Sequence, residues 1–109
     1  MDWIITLPKT IQWSDYEQEL QTVRDFSQVM NYRLPFRPKE MTIGDKCFVT
    51  WDGKVRGWML ITGIKETDGY ICTTTYKDWP AGTYMERSGP FHSTENTPFP
   101  GFRGIRKFR

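Results

Sequence analysis

Hydrophobic and polar positions along this chain repeat at two periods, and the switches between them mark the elements. "DWIITLP" (2–8) is a short apolar run halted by Pro8, which predicts a first strand. In "WSDYEQELQTVRDF" (13–26), Tyr16, Leu20 and Val23 fall at helical spacing. This predicts a helix with those three side chains buried and an end near Phe26. Ser14 stands where an N-cap belongs, and Glu17 three residues later completes a capping box. Asp15 and Glu17 also suit the positive end of the helix dipole. A short strand is expected at Val29 to Arg33. Pro35 and Pro38 then forbid a regular central strand, so an irregular loop leads to the "IGD" turn at 43–45.

The stretch "KCFVTWDGKVRGWMLITGI" (46–64) is the most legible. Asp52-Gly53 between two apolar runs is a strong hairpin signal, because both residues tolerate positive φ. A two-residue loop pairs Trp51 with Lys54, Val49 with Arg56 and Cys47 with Trp58. One face then carries Trp51, Arg56 and Trp58, and the other carries Phe48, Val55, Met59 and Ile61 as core. A register slip by one residue exchanges these faces.

Thr67-Asp68-Gly69 predicts another turn, and "YICTTTYK" (70–77) a strand rich in β-branched and aromatic residues. "DWPAG" breaks it, "TYMERS" (83–88) is a further strand, "GPFHSTENTPFPG" (89–101) a loop with three prolines, and "FRGIRKFR" a closing strand. There are no repeats. About six strands and one main helix predict an α+β class, as a small curved sheet or open barrel with helical cover.

Length changes this picture little: 109 residues suffice for one domain, 1–109, and not for two ordinary ones. Such a domain folds without a metal or a disulfide. Composition adds more. Five Trp, five Tyr and seven Phe supply flat faces for stacking as well as buried area. No apolar run reaches membrane-span length, and the first residues lack the profile of a secretion signal. Cys47 and Cys72 lie in apolar strand-like runs and read as reduced core residues of a cytoplasmic protein. With no CxxC and a lone histidine, His92, neither a metal site nor a cofactor is indicated. Charge is segregated. Residues 1–45 hold seven acids and five bases, a net of −2, whereas 46–109 hold six acids and ten bases, a net of +4. A basic half suits an anionic partner, and equally a solvated strand with charged gatekeepers.

The order of these features resembles the PUA-like superfamily, and within it the EVE and ASCH branches. The resemblance rests on Trp3 in an early strand, the helix opened by "WSDYEQEL", "NYR" at 31–33, "MTIGD" at 41–45 and the hairpin ending "GWMLITGI"; it covers about residues 2–64. It implies a curved barrel that holds RNA or a flipped modified base in a cleft beside the sheet. Carried over by position, Asn31, Tyr32 and Arg33 border that pocket. The Gly-x-Lys-x-x-Glu-x-Arg string of the ASCH branch is absent, which speaks against its ribonuclease activity.

Base binding needs aromatic faces for stacking and a polar group to read an edge. Trp51, Trp58 and Trp79 are the aromatic candidates, with core packing as the alternative for each. Asn31 can bond a base edge or its own backbone. Arg33 and Arg56 can clamp a phosphate or cover a ring, or else form surface ion pairs. Arg87 joins them as a candidate contact. On the last strand, Arg103, Lys107 and Arg109 share one face while Arg106 lies with Phe102 and Phe108, a basic ridge for phosphates. Glu86, Arg87 and His92 supply the ingredients of acid–base chemistry, although Glu86 and Arg87 point to opposite faces of a strand.

The expectation is a non-enzymatic binder of RNA or DNA, or of a modified nucleobase, with its cleft near Asn31, Trp51 and Trp79 and no membrane partner. Two alternatives stand beside it: a protein-binding inhibitor or adaptor, and a ribonuclease on the same fold.

Overall fold

The Asp52-Gly53 turn forms as its residue types dictate. Asp52 and Gly53 have φ of 52° and 72°, both in the left-handed region, and Trp51 pairs with Lys54. The computed structural model describes residues 1–23, 28–71, 78–102 and 104–108. In it β3 (Lys46–Trp51) leads through this turn into β4 (Lys54–Ile71).

Past the turn the expected register fails. Thr50 faces Val55, but Val49 faces Gly57, so Arg56 is an extra residue on β4, a β-bulge. Phe48 consequently faces Trp58 and Cys47 faces Met59. The bulge turns Trp58 away from the side that carries Trp51, so the expected Trp51–Arg56–Trp58 face is not formed. Met59 and Ile61 enter the core as expected, whereas Phe48 and Val55 stand on the other side of the sheet. The cause lies at Gly57. A Cβ there would collide with the ring of Phe91 and the carbonyl of His92, so the bulge delivers the one residue that fits beneath that ring.

The remaining elements are β1 (Asp2–Thr6), α1 (Trp13–Thr22), β2 (Met30–Leu34), β5 (Asp78–Pro98) and β6 (Ile105–Phe108). Six strands form one sheet in the order β2-β5-β4-β3-β1-β6, with β1 and β3 parallel and the other neighbours antiparallel. Among the described residues the sheet curls into a half-barrel with a single helix. β2 and β6 are its end strands among the described residues, and Lys107 on β6 forms an ion pair with Glu40 in the loop that follows β2. The α+β class with about six strands and one helix is thus the observed architecture among the described residues.

β4 and β5 run 18 and 21 residues, longer than their sequence predicts. Thr67–Gly69, expected as a turn, lies inside β4, and Gly69 at φ 126° faces Pro80. "DWPAG" and most of the predicted 89–101 loop lie inside β5. Prolines are tolerated there because β2 pairs only with Thr83–Arg87 of β5. Pro80, Pro90 and Pro98 therefore have no β2 neighbour waiting for an N–H. Gly89-Pro90-Phe91 stands opposite Met59 alone, a bulge with Gly89 at φ 83°. The 70–77 strand is seen only as its first two residues; the rest, with Cys72, lies outside the described residues.

α1 begins at Trp13, capped by the backbone of Gln12 with no side-chain cap, so Ser14 is inside the helix and exposed. Trp13 explains the earlier start. Its ring centroid lies 5.7 Å from that of Tyr16, 6.3 Å from Trp51 and 6.2 Å from Phe91, and holding it there requires helical backbone already at that residue. The helix ends at Thr22, short of the expected Phe26, which is outside the described residues. Tyr16, Leu20 and Val23 are buried as their spacing predicts, against Trp3, Ile5, Leu34, Cys47, Val49, Met59, Ile61 and Met85.

The "GD" turn ties this core to β1. Asp45 accepts hydrogen bonds from the Thr42 backbone N–H (2.9 Å), the Trp3 indole (3.0 Å) and the Met1 ammonium (3.2 Å). Burial pushes its carboxyl up, but these donors and the ammonium charge outweigh that and hold it below the usual carboxylate range. Gly44 N–H and Asp45 carbonyl both bond Ile61, each at 2.8 Å, fixing the turn to β4.

Candidate functional site

Residues directly opposite each other on neighbouring strands project from the same face of a sheet. Following the pairs across five strands gives one row: Arg106 on β6, Ile4 on β1, Phe48 on β3, Trp58 on β4 and His92 on β5. The row lies on the outer face, opposite the helix and the main core. Ile4 is fully buried yet stands apart from the core cluster, as an outer-face residue roofed by its neighbours would.

The side chains of this row form two linked groups. Trp58 stacks on His92 with centroids 4.0 Å apart and planes at 19°, and the Lys46 ammonium lies 4.5 Å from the Trp58 ring. Phe48 bridges onward, 6.4 Å from Trp58 and 4.6 Å from Phe108. Phe99 packs at 5.5 Å on Phe108 and 5.6 Å on Phe102. The Arg106 guanidinium lies 5.9 Å from the Phe99 ring and 5.7 Å from Phe102. The Phe99 N–H donates to the Gly53 carbonyl at 2.8 Å, so the hairpin turn positions this second group. Every ring in the row is half-exposed, while His92 and Arg106 are exposed. Aromatic faces with cations beside them, open to solvent, can receive flat anionic ligands.

A second aromatic group closes the inner side near the helix start. Arg56 lies 5.6 Å from the Trp13 ring and 5.1 Å from the Trp51 ring, and its Nε donates to the Trp51 carbonyl at 3.4 Å. Trp51 donates its indole N–H to the Ile11 carbonyl at 2.9 Å. These groups hold one another.

The residues expected to line one cleft are dispersed. Asn31 stands opposite Glu86 on the outer side of β2, its Oδ1 buried without a hydrogen-bond partner. Tyr32 points inward opposite Met85; burial pushes its hydroxyl pKa up, opposed in part by Arg87. Arg33 donates to the Ala81 carbonyl at 3.1 Å. Trp79 packs on Tyr84 at 5.4 Å, at the far end of β4–β5 from Trp51. No cleft joins Asn31, Trp51 and Trp79, because the length of β5 separates the last two.

Arg87 is the largest departure. It is 2% exposed, faces Met30 and Ile61, and donates from Nη1 to the Tyr16 hydroxyl at 3.2 Å; its Nε has no partner. Burial disfavours its charge, but Tyr16, Cys47 and Tyr32 together hold its pKa up. It cannot meet an external phosphate from there. Glu86 is on the other face, paired with Lys65 at 3.5 Å, and His92 lies flat on Trp58. Glu86, Arg87 and His92 therefore do not converge as an acid–base set. On β6, Arg106 sits with the phenylalanines as the alternation predicts, and Lys107 is engaged by Glu40. Arg103 and Arg109 lie outside the described residues.

Lys46, Phe48, Phe99 and Phe108 were not recognised as site residues from sequence. The signal was available in K-x-F at 46–48, two residues on one strand face, but without the bulge it read as core. Among the described residues no cluster of His, Cys, Asp and Glu gathers as a metal site, and no helix is long and apolar enough to cross a membrane. Compared with known proteins, the chain matches no family model, no curated protein and no solved structure.

Proposed function

We propose that this chain binds nucleic acid on the outer face of its sheet, bases stacking on the Trp58–His92 pair and the phenylalanine group and phosphates meeting Lys46 and Arg106. The observation that carries this reading is the outer-face pairing row, in which the half-exposed Phe48 and Trp58 and the exposed His92 join through Phe108 to the phenylalanine group, with Lys46 over Trp58 and Arg106 beside Phe99 and Phe102. Stacking supplies roughly 1–3 kcal/mol per base, and each end of the row offers one such surface. The basic second half of the sequence supports it. So does the resemblance to PUA-like domains, whose curved-barrel outline is compatible with a curled half-barrel carrying one helix. Within this reading a modified base remains a candidate ligand, and the protein acts in the cytoplasm as a binder. A nuclease is disfavoured because Glu86 and His92 are each held by a neighbour and Arg87 is inside the core.

A protein partner is the second reading, favoured by one observation. Phe36 and Ile43, both in the loop between β2 and β3, are 62% and 66% exposed and offer apolar surface to a partner. Fluorescence anisotropy with labelled single-stranded and duplex RNA and DNA at low salt separates the two. Binding to any probe, weakened about tenfold by Trp58→Ala, is expected. Failure of all four probes to bind sinks the nucleic-acid reading and moves a protein partner to the front.

A further inference from the structure

We infer that the ligand of the outer face is a single strand, lying across the β-strands from Trp58 to Arg106 and held with little regard to sequence. This rests on the nucleic-acid reading above and adds which form of nucleic acid fits.

The first ground is what the surface can touch. The rings of Trp58, Phe48 and Phe108 belong to strand residues half-buried in a sheet, so they keep part of their surface in solvent and project no probe from it. A duplex covers its base faces with neighbouring bases and shows only edges in its grooves, which are read by an inserted helix or ribbon. An unpaired base can lie on such a ring, as single-strand-binding sheets and barrels receive theirs.

The second ground is spacing. Trp58 on β4 and Arg106 on β6 are separated by β3 and β1, three inter-strand steps, or roughly 14 Å. That exceeds one base and suits successive nucleotides of one strand. Each end has its own ring and cation: Trp58 with Lys46, and Phe99 and Phe102 with Arg106. The direction of travel is perpendicular to the strands, along the pairing row.

The third ground is what the row lacks. Arg106, Ile4, Phe48, Trp58 and His92 include no side-chain amide or carboxylate, and only Arg106 and His92, at opposite ends of the row, can bond a base edge, so most of the contact is by face and charge. Two cations also set the salt dependence. Single-strand binding loses about 0.7 decades of affinity per decade of salt for each phosphate neutralised, so a slope near −1.4 is expected.

The test uses the intact chain with fluorescein-labelled oligouridylate and oligothymidylate of about nine nucleotides, within the range such folds accommodate. Blunt duplexes of equal length are run beside them at about 50 and 200 mM salt. Single strands are expected to bind at least about tenfold tighter than duplexes, with the shallow slope above and with quenching of tryptophan fluorescence. Trp58→Phe should keep the binding and lose much of the quenching, and Lys46→Gln with Arg106→Gln should flatten the slope without touching the core. Equal or tighter binding of duplexes overturns the single-strand inference but leaves nucleic-acid binding standing as phosphate contact. A slope several units steeper, unchanged in the double variant, overturns the placement at this face. No binding by any probe fails the underlying reading itself, and the inference with it.

Discussion

On the inner face of the sheet, Arg87 lies among Tyr16, Tyr32 and Cys47 with 2% of its surface exposed. On the outer face, Arg106 and Lys46 lie over rings that keep part of their surface in solvent. Both faces pair cations with aromatics, yet the physics differs. A buried guanidinium has lost its water and depends on whatever polar groups surround it, so it binds the helix to the sheet through the Tyr16 hydroxyl. An exposed cation over a ring remains solvated, contributes little to folding and is free to meet a ligand. Residue type does not assign function here; access to water does.

The sharpest way to break this contrast is to remove the inner charge. Arg87→Ala empties a core position and strands the Tyr16 hydroxyl, and a loss of about 3 kcal/mol in urea unfolding is expected. Arg87→Met, which keeps the volume, should recover most of it. The corresponding outer pair, Lys46→Gln with Arg106→Gln, should move stability by less than about 1 kcal/mol. Equal losses on the two faces would erase the distinction.

Gly57 links the faces, since it lies under Phe91 on the inner side and precedes Trp58 on the outer. Gly57→Ala should lower stability by about 2 kcal/mol, because the Phe91 ring and the His92 backbone must both move. The same change should disturb the Trp58–His92 stack, which tryptophan fluorescence reports. A variant as stable as the parent would mean that the close approach is not what sets the bulge.

Asp45 sharpens the comparison from the turn before β3, where it ties Trp3 of β1 to Ile61 of β4. Its carboxyl pKa is lower folded than unfolded, so the stability it supplies is fully present above the ordinary carboxylate pKa. That stability is lost as pH falls through the lower folded value. Asp45→Asn should cost about 1 kcal/mol at neutral pH and flatten the acid limb of the unfolding curve below about pH 4. An acid limb identical in the two proteins would remove Asp45 from that role.

Cys47 gives the smallest effect and the cleanest reading of the inner face. Burial pushes its thiol up to about 11, with Arg87 pulling the other way. In a Cys72→Ser background it should resist a disulfide-exchange reagent at pH 8 until the protein unfolds. The unfolded thiol ionises first as pH rises, so stability should decline between roughly pH 9 and the folded value near 11. Rapid labelling of the native protein would place water where the structure places core.

Several elements were legible because neighbouring residues decide them. Asp52-Gly53 accepts positive φ at both positions; Pro35 ends β2; Tyr16, Leu20 and Val23 form a helical stripe whatever they pack on. The β5 strand was not legible, since its prolines and Gly89 read as breakers unless the extent of β2 is known. The helix start was misplaced for a similar reason, as Ser14 offers a local cap but Trp13 packs on Trp51 and Phe91, far along the chain. Phe48 and Trp58 were assigned to opposite faces, and Arg87 to the surface, each by a local rule with a non-local answer.

What the sequence determined by itself was the inventory: about six strands, one helix, one tight hairpin, a basic second half and abundant aromatic rings. Turn φ values, missing proline N–H groups and hydrophobic periods act within a few residues and need no partner. Only the tertiary structure decided which rings face water. A single extra residue at Arg56, required by the meeting of Gly57 with Phe91, reverses the side on which the β4 residues from Gly57 to Ile61 point, until a second extra residue at Thr62 reverses it again. Side-chain direction in a strand has a period of two, so one contact between distant residues was enough to place Trp58 outside and leave Met59 within.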